Sequence, residues 1–232
     1  MLLHLSLPLS GQKQKPKNQS WYDDKLFHFG FSLGFNTMDF NITPNQAFFK
    51  SNNILPELTT LNPGINIQIV TNLKPAKYFD LRFLPGVSFG QRVISYYDLT
   101  KPVGSPEYLF GEQRLESSFL EFPLLLKLKG DRLNNIRPYV IGGFNFRYDL
   151  AGKKEFDSEK PVYIRLERPD LYYEAGAGFD FYLTYFKLSI EVKMSRGFSD
   201  VLVKESVTNY EQYYNAIERM TSQIWILAFH FE

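Results

Sequence analysis

The chain has 232 residues, a formal net charge of +1 and no cysteine. The near-neutral charge argues against a nucleic-acid partner, which would require a clustered excess of Lys and Arg, and the missing cysteine excludes thiol catalysis, disulfides and zinc–thiolate sites. The length suits a single small domain with loops, and the chain has no run of about eighteen apolar residues that would predict a transmembrane helix.

The first residues resemble the apolar end of a secretory signal peptide. Five leucines fall within the first nine residues, and Gly11 and Gln12 follow where a cleavage site would lie. The basic residues that normally precede such a stretch are missing, so we interpret it as a remnant. An ordinary buried segment is the alternative. We predict a signal-peptide remnant and linker over residues 1–24 and one barrel domain over residues 25–232.

The first strand shows a strict period of two. One parity carries Phe27, Phe29, Phe31, Leu33 and Phe35, and the other carries His28, Gly30, Ser32, Gly34 and Asn36. Alternate residues of a strand point to opposite faces of the sheet. A bulky apolar face opposite a face of Gly, Ser and charge is typical of a barrel that contacts lipid.

Seven further segments repeat this alternation. In chain order they cover residues 65–70, 81–90, 120–128, 140–149, 172–183, 186–195 and 225–231. The total of eight is even, as closed bacterial barrels require. We therefore predict an all-β fold, an eight-stranded antiparallel transmembrane β-barrel of the bacterial outer membrane. A water-soluble lipocalin-like barrel is the structural alternative, and the Gly-, Ser- and charge-bearing face argues against it.

The connections between these strands alternate in length. The long ones cover residues 38–62, 95–116, 150–169 and 196–221, and the short ones cover residues 74–77, 129–135 and 184–185. Outer-membrane barrels have short periplasmic turns and long external loops. The sequence thus predicts extracellular long loops and periplasmic termini.

Nine charged residues fall on the inward-facing parity of the predicted strands. They are Arg82, Arg92, Glu121, Lys127, Arg147, Glu174, Lys187, Glu191 and Lys193. An eight-stranded barrel has an interior just wide enough for side chains to fill. We interpret these residues as a salt-bridged structural network that fills the interior, and a conduction or binding path is the alternative.

Catalytic and metal sites are not indicated. His28 and His230 lie on the inward parity of the first and last strands, but two histidines alone are a poor metal site. The spacing suggests no Ser-His-Asp group. We expect no catalytic residue, no metal, no cofactor and no small-molecule substrate.

Two prolines lie inside predicted strands. Pro85 is in the third strand and Pro123 in the fourth, nearly level with each other across their shared turn. Proline cannot donate to a strand ladder and is usually found at edges or bulges. The pair predicts a bulge or lost ladder bonds. We interpret this seam as an architectural feature, and a partner-docking site is the alternative.

Several stretches resemble the PorT proteins. They are FDLRFLPGVSFGQR (79–92), LEFPLLLK (120–127), NNIRPYVIGG (134–143), LGFNTMDF (33–40), YDLA (148–151) and the terminal FHFE (229–232). The resemblance covers nearly the whole chain from about Phe27. A weaker form of the pattern, Glu-x-Pro-Leu-Leu-Leu-Lys followed by Arg-Pro-Tyr, is shared by many small Bacteroidota barrels of unassigned role.

PorT is a barrel component of the type IX secretion system of the Bacteroidota, which exports proteins to the cell surface and serves gliding motility in some species. The resemblance implies a non-enzymatic role in this system. Because so narrow a barrel cannot pass a folded protein, we expect an accessory or assembly factor. Its expected partners are outer-membrane lipid and other secretion components. The competing hypothesis is a generic small barrel that binds a ligand or partner through its external loops.

Overall fold

The computed structural model of the chain describes residues 17–58, 62–152, 164–203, 213 and 215–232. The predicted signal-peptide stretch within residues 1–16 lies outside these ranges. Within them, the helical elements are a 3₁₀ helix (Ser20–Asp24) and α1 (Gln46–Asn52). No helix in this part of the chain has the length and apolarity needed to cross a membrane.

The described residues form twelve strands. They are β1 (Phe27–Pro44), β2 (Ile54–Leu58), β3 (Pro63–Leu73), β4 (Phe79–Phe83), β5 (Gly86–Asp98), β6 (Leu109–Lys129), β7 (Ile136–Asp149), β8 (Arg165–Leu166), β9 (Pro169–Tyr182), β10 (Lys187–Gly197), β11 (Leu202–Val203) and β12 (Ile217–Phe231).

Eight strand positions close into an antiparallel ring, which confirms the predicted barrel. The order around the ring is β1, β12, β10, β9, β7, β6, then β4 together with β5, then β3. β1 closes the ring because it pairs with β12 on one side and with β3 on the other. The third position in chain order is filled by β4 and β5 in succession, and each of them pairs with both β3 and β6.

The two faces of the strands differ as the alternation predicts. On β1, Phe29 is 66% exposed on the outer wall, whereas the side chain of Ser32 is buried inside the ring. A continuous apolar belt of exposed side chains surrounds the barrel. On β1, β6, β9, β10 and β12 it comprises Phe29, Phe31, Leu33, Phe35, Leu124, Leu126, Phe179, Val192, Trp225 and Leu227.

Several strands run further than the alternation predicts. β1 continues to Pro44, and β6 begins at Leu109, so parts of the predicted long connections are strand. Beyond the belt the same parity still faces outward, but the polarity of the two faces reverses. The apolar residues Met38 and Phe40 point inward, while the polar residues Asn41 and Thr43 are exposed. A search for strands with apolar outer faces therefore ends too early at this end of the barrel.

Described parts of the long connections pack over the mouth of the barrel. The short ribbon of β8 and β11 contributes Leu166 and Leu202 to a buried hydrophobic cluster, the mouth cluster, which also contains Tyr96, Met220 and Phe40 from the barrel strands. The Gln113 side chain holds this ribbon by accepting the N–H of Ile164 at 2.8 Å and donating to its carbonyl at 3.0 Å. The barrel mouth is thus packed with apolar side chains.

The N-terminal 3₁₀ helix lies against the opposite end, where the short turns are. The Tyr22 hydroxyl donates to Glu232 Oε2 at 2.7 Å, and the Tyr22 ring stacks on His28 at 3.9 Å. Asn18 donates its backbone N–H to Asn135 Oδ1 at 2.9 Å in the turn before β7. Burial and the Glu232 carboxylate raise the pKa of the Tyr22 phenol well above its usual value, so this hydroxyl stays a donor.

Candidate functional site

The nine charged residues predicted for the interior are all buried inside the ring. Eight of them lie within ion-pair distance of an opposite charge, and Arg92 is the exception among the described residues. These eight divide into two groups. One group lies midway along the barrel, and the other lies near the end with the short turns.

The mid-barrel group is centred on Arg147. Its Nε donates to Glu121 Oε1 at 2.8 Å and its Nη2 donates to Glu174 Oε1 at 3.0 Å. Lys193 Nζ lies 2.9 Å from Glu174 Oε2. The four side chains come from β6, β7, β9 and β10, so the group joins four neighbouring strands.

The second group is centred on Arg82 and the last residue of the chain. Arg82 Nη2 lies 3.0 Å from Glu232 Oε1 and its Nη1 lies 3.5 Å from Glu191 Oε2. Lys187 Nζ lies 3.0 Å from Glu232 Oε2. The Tyr139 hydroxyl also donates to Glu191 at 2.9 Å. These contacts cross the interior from β4 and β7 to β10 and to Glu232, the residue that follows β12.

Sequence reasoning missed several acidic partners of this second group. Lys127 pairs with Asp180 at 2.7 Å, Lys129 pairs with Asp80, and Arg82 and Lys187 share Glu232. Asp180 has the same parity as Glu174 on β9, and Glu232 has the same parity as His230 at the chain end. Strict use of the alternation finds both carboxylates.

A glycine, Gly178, makes room for the large inward side chain of Tyr139 in this group. A Cβ added to Gly178 on β9 would lie about 2.6 Å from the Tyr139 hydroxyl on β7. No real Cβ comes that close to a neighbouring atom, so glycine at this position lets the Tyr139 ring extend across the interior towards Glu191.

Arg92 lies apart from both groups. Its guanidinium donates to Ser222 Oγ at 3.0 Å and to Ser117 Oγ at 2.7 Å, and it lies 4.2 Å from the centre of the Phe40 ring. It therefore marks the boundary between the charged interior and the mouth cluster. The cavity beside it, lined in part by Tyr172, has only about 10 Å³, roughly the space of one water-sized probe or less.

The two histidines are not brought together. His28 is opposite Asn72, and its Nε2 lies 2.8 Å from the Tyr22 carbonyl. His230 is opposite Ser32 and Ser189, and its Nε2 lies 3.5 Å from Glu191. Within the described ranges, no group of three or more His, Cys, Asp and Glu residues is arranged to hold a metal ion.

The two prolines interrupt different ladders. Leu84 is opposite Pro123, and the Leu84 N–H donates to the Pro123 carbonyl at 3.1 Å, but Pro123 has no N–H to return the bond. Pro85 faces the other neighbour, β3, where its carbonyl accepts the Ile69 N–H at 2.9 Å. The pairing register is the same on both sides of the break, so the defect is two lost donors without an inserted residue.

The family described as "Outer membrane protein beta-barrel domain" matches residues 11–203. The chain belongs to this family. Lipid therefore surrounds the apolar belt of this outer-membrane barrel, and the barrel wall shields the buried charges from that lipid. A comparison with curated protein sequences finds no match.

Solved outer-membrane barrels are similar to this one at low sequence identity. OprG from Pseudomonas aeruginosa is 11% identical, with a TM-score of 0.47, 88% of this chain covered and 93% of that chain. Ail of Yersinia pestis, in complex with the heparin analogue sucrose octasulfate, is 11% identical with a TM-score of 0.39 and coverages of 88% and 96%. The N-terminal barrel domain of P. aeruginosa OprF is 12% identical with a TM-score of 0.34 and coverages of 88% and 100%.

Proposed function

We propose that this outer-membrane barrel works in type IX protein secretion as an accessory or assembly factor for export to the cell surface. The secretion role is supported by the resemblance of six stretches of the sequence to PorT proteins. The accessory role is supported by one structural observation, the filled interior. Among the described residues, charge-paired side chains cross the interior and an apolar cluster fills the mouth, and this arrangement leaves no path for a protein cargo.

This proposal assigns no catalytic role to the protein. Its partners would be outer-membrane lipid around the belt and other secretion components at the two ends of the barrel. In species that glide, the same export would serve motility. The chain termini and the 3₁₀ helix would face the periplasm, and the long connections would face outward.

Gene deletion tests the secretion role. In the deletion strain, proteins normally delivered to the surface should accumulate inside the cell envelope, and a plasmid copy of the wild-type gene should restore delivery. A strain that lacks the gene and still delivers its surface proteins normally would contradict the proposal.

Electrical recording tests the accessory role. The purified protein in planar lipid bilayers should give no single-channel steps, because ion pairs and buried hydroxyls occupy the interior. A wide porin reconstituted in the same way is the control. Stable conductance steps from this protein would show an open path and contradict the non-conducting role.

A second candidate function is partner or ligand binding by the long connections, without a part in secretion. The observation that favours it is the mouth cluster, which packs the described β8–β11 ribbon of these connections against the barrel, as a binding surface would need. The two candidates separate in the deletion strain, since this one leaves surface delivery unchanged. A pull-down from detergent-solubilised membranes would then identify the partner.

A further inference from the structure

A cavity opens on the outer wall of the barrel, away from the charged interior. Its volume is about 280 Å³, and its lining includes Asn41, Thr43, Tyr173, Arg196, Phe198 and Arg219. These residues come from β1, β9, β10 and β12 and from the connection that follows β10. Neither the interior network nor the mouth cluster includes any of these six residues.

The cavity begins directly beyond the apolar belt. Trp225 on β12 is the last belt residue and is opposite Met194 on β10. Two residues further along these strands, Arg196 is opposite Gln223. Two successive outward positions on a strand are separated by about 7 Å. The Arg196 side chain therefore starts one outward position beyond the end of the belt on these strands, where we expect lipid tails to give way to headgroups.

The two arginines bring unneutralised positive charge to this cavity. Arg219 Nη2 donates to the Phe198 carbonyl at 3.0 Å, which leaves its other N–H groups free for a ligand. Among the described residues, neither Arg196 nor Arg219 has a salt bridge to a carboxylate. Asp39 on β1 and Glu218 on β12 do not line the cavity, and Asp39 Oδ1 accepts the Phe40 N–H at 2.7 Å. Asp170 on β9 lies behind the lining residue Gly197 on the buried side, where its Oδ1 accepts the Ser199 N–H at 3.2 Å.

Aromatic side chains form one wall of the cavity. Phe198 is about half exposed, and its ring centre lies 5.3 Å from that of Tyr173 and 6.4 Å from that of Phe144. Phe144 is an exposed residue on the outward face of β7, opposite Leu124 of the belt. Aromatic rings at this depth are typical of the region where a barrel meets lipid headgroups. The cavity thus joins a cationic upper part to an apolar lower part.

We propose that this cavity binds the phosphate-bearing headgroup of an anionic membrane lipid. Arg196 and Arg219 would contact the phosphate, since a guanidinium presents paired N–H donors that match phosphate oxygens. Asn41 and Thr43 offer further polar contacts at the upper rim. The acyl chains would lie along the belt below, over Trp225 and Leu227. This site is independent of any part that the protein plays in secretion.

Lipid binding to the detergent-purified protein tests the proposal. Dioctanoyl phosphatidic acid is titrated against the wild-type protein and against the double variant Arg196→Gln/Arg219→Gln, with native mass spectrometry to count bound lipid. The wild type should retain one more bound phosphatidic acid than the double variant does. The affinity of the double variant for this lipid should be at least about tenfold lower, because charge-assisted hydrogen bonds are lost. The control is Arg114→Gln, which removes an exposed arginine from β6 on the far wall and should bind as the wild type does.

Two further ligands separate the sources of the phosphate. Dioctanoyl phosphatidylcholine, whose choline opposes the two arginines, should bind weakly, and inorganic phosphate should not compete at the same concentration. Equal binding by the wild type and the double variant would overturn the site. Competition by inorganic phosphate as strong as that by the lipid would overturn its assignment to a lipid. Unchanged migration of the unheated double variant in gels shows that the barrel is folded.

Discussion

Glu174 illustrates how single buried carboxylates hold the interior of this barrel together. Besides its ion pairs with Arg147 and Lys193, it accepts hydrogen bonds from Asn145 Nδ2 at 2.8 Å and from Ser195 Oγ at 3.0 Å. A buried charge is tolerated only when its partners replace the water that it has lost. Each member of the group therefore depends on the presence of the others.

We expect Glu174→Gln to lower the free energy of unfolding by about 3–5 kcal/mol, because it leaves two cations buried with one carboxylate fewer. Urea unfolding in lipid vesicles measures the change. The double variant Glu174→Gln/Lys193→Met should regain part of the loss, since it removes one of the stranded charges. As a control, Glu107→Gln breaks an exposed pair with Lys101 and should have no measurable effect. If Glu174→Gln lowered the free energy of unfolding no more than Glu107→Gln does, the interior ion pairs would contribute no more to stability than an exposed pair.

The depth of an outward-facing residue decides what a charge costs there. Leu227 lies within the apolar belt on β12, and Gln223 lies on the same face beyond Trp225. We expect Leu227→Arg to destabilise the folded barrel by about 2–4 kcal/mol and Gln223→Arg by about 0–1 kcal/mol. Reversible unfolding in vesicles gives both values. A larger loss for Gln223→Arg would place the lipid boundary higher on the barrel wall.

At the scale of the strand, the third position of the ring is the irregular one. It consists of two strands that keep one register on either side of Leu84 and Pro85. Inside the barrel at this level, Leu84 is buried with Val70, Leu125 and Tyr139 in a small apolar cluster. This cluster holds the broken strand in place by packing where ladder hydrogen bonds are missing.

The variant Pro123→Val distinguishes an architectural seam from a docking site. Valine supplies the missing donor opposite the Leu84 carbonyl, and we expect stability to change by no more than about 1 kcal/mol, since the new hydrogen bond offsets the lost rigidity of proline. In hydrogen-exchange measurements the amide at position 123 should be protected. Surface delivery of cargo should be normal.

A docking seam would give the opposite result. Pro123→Val would then be abundant in the outer membrane yet reduce delivery, and crosslinkers placed at Phe83 and Phe122 in the wild-type background would capture a protein neighbour. Normal delivery together with crosslinks to lipid alone would leave the seam with an architectural role.

At the scale of the whole molecule, the two ends of the barrel differ in a way that labelling can detect. The connection between β5 and β6 presents Val103, which is 85% exposed, and the turn between β9 and β10 at the other end presents Tyr185, which is 91% exposed. The wild-type chain has no cysteine, so single cysteines can be introduced without background.

We expect Val103→Cys to react with a membrane-impermeant maleimide in intact cells, and Tyr185→Cys to react only after the outer membrane is permeabilised. This follows from the rule that long connections face outward and short turns face the periplasm. The reverse pattern of labelling would invert the topology. Labelling of both sites in purified, unheated protein controls for their accessibility.

The sequence by itself determined the fold class and the two faces of the barrel. A strand that separates lipid from a packed interior must alternate between two kinds of side chain, and this alternation is local, so residues such as Phe29 and Ser32 reveal it without a structure. The same rule selected the inward charges. This rule failed beyond the belt, because water replaces lipid outside the barrel there and the apolar side chains face the interior instead.

Only the tertiary structure decided which charges pair and how the ends are closed. Arg82 and Glu232 are 150 residues apart, and ring closure brings them together. The partner of a buried charge is set by strand register and by which side chains cross the interior, and neither can be read from parity along one strand. The outer cavity arises in the same way, since Arg196 and Arg219 come to line one cavity only when β10 pairs with β12.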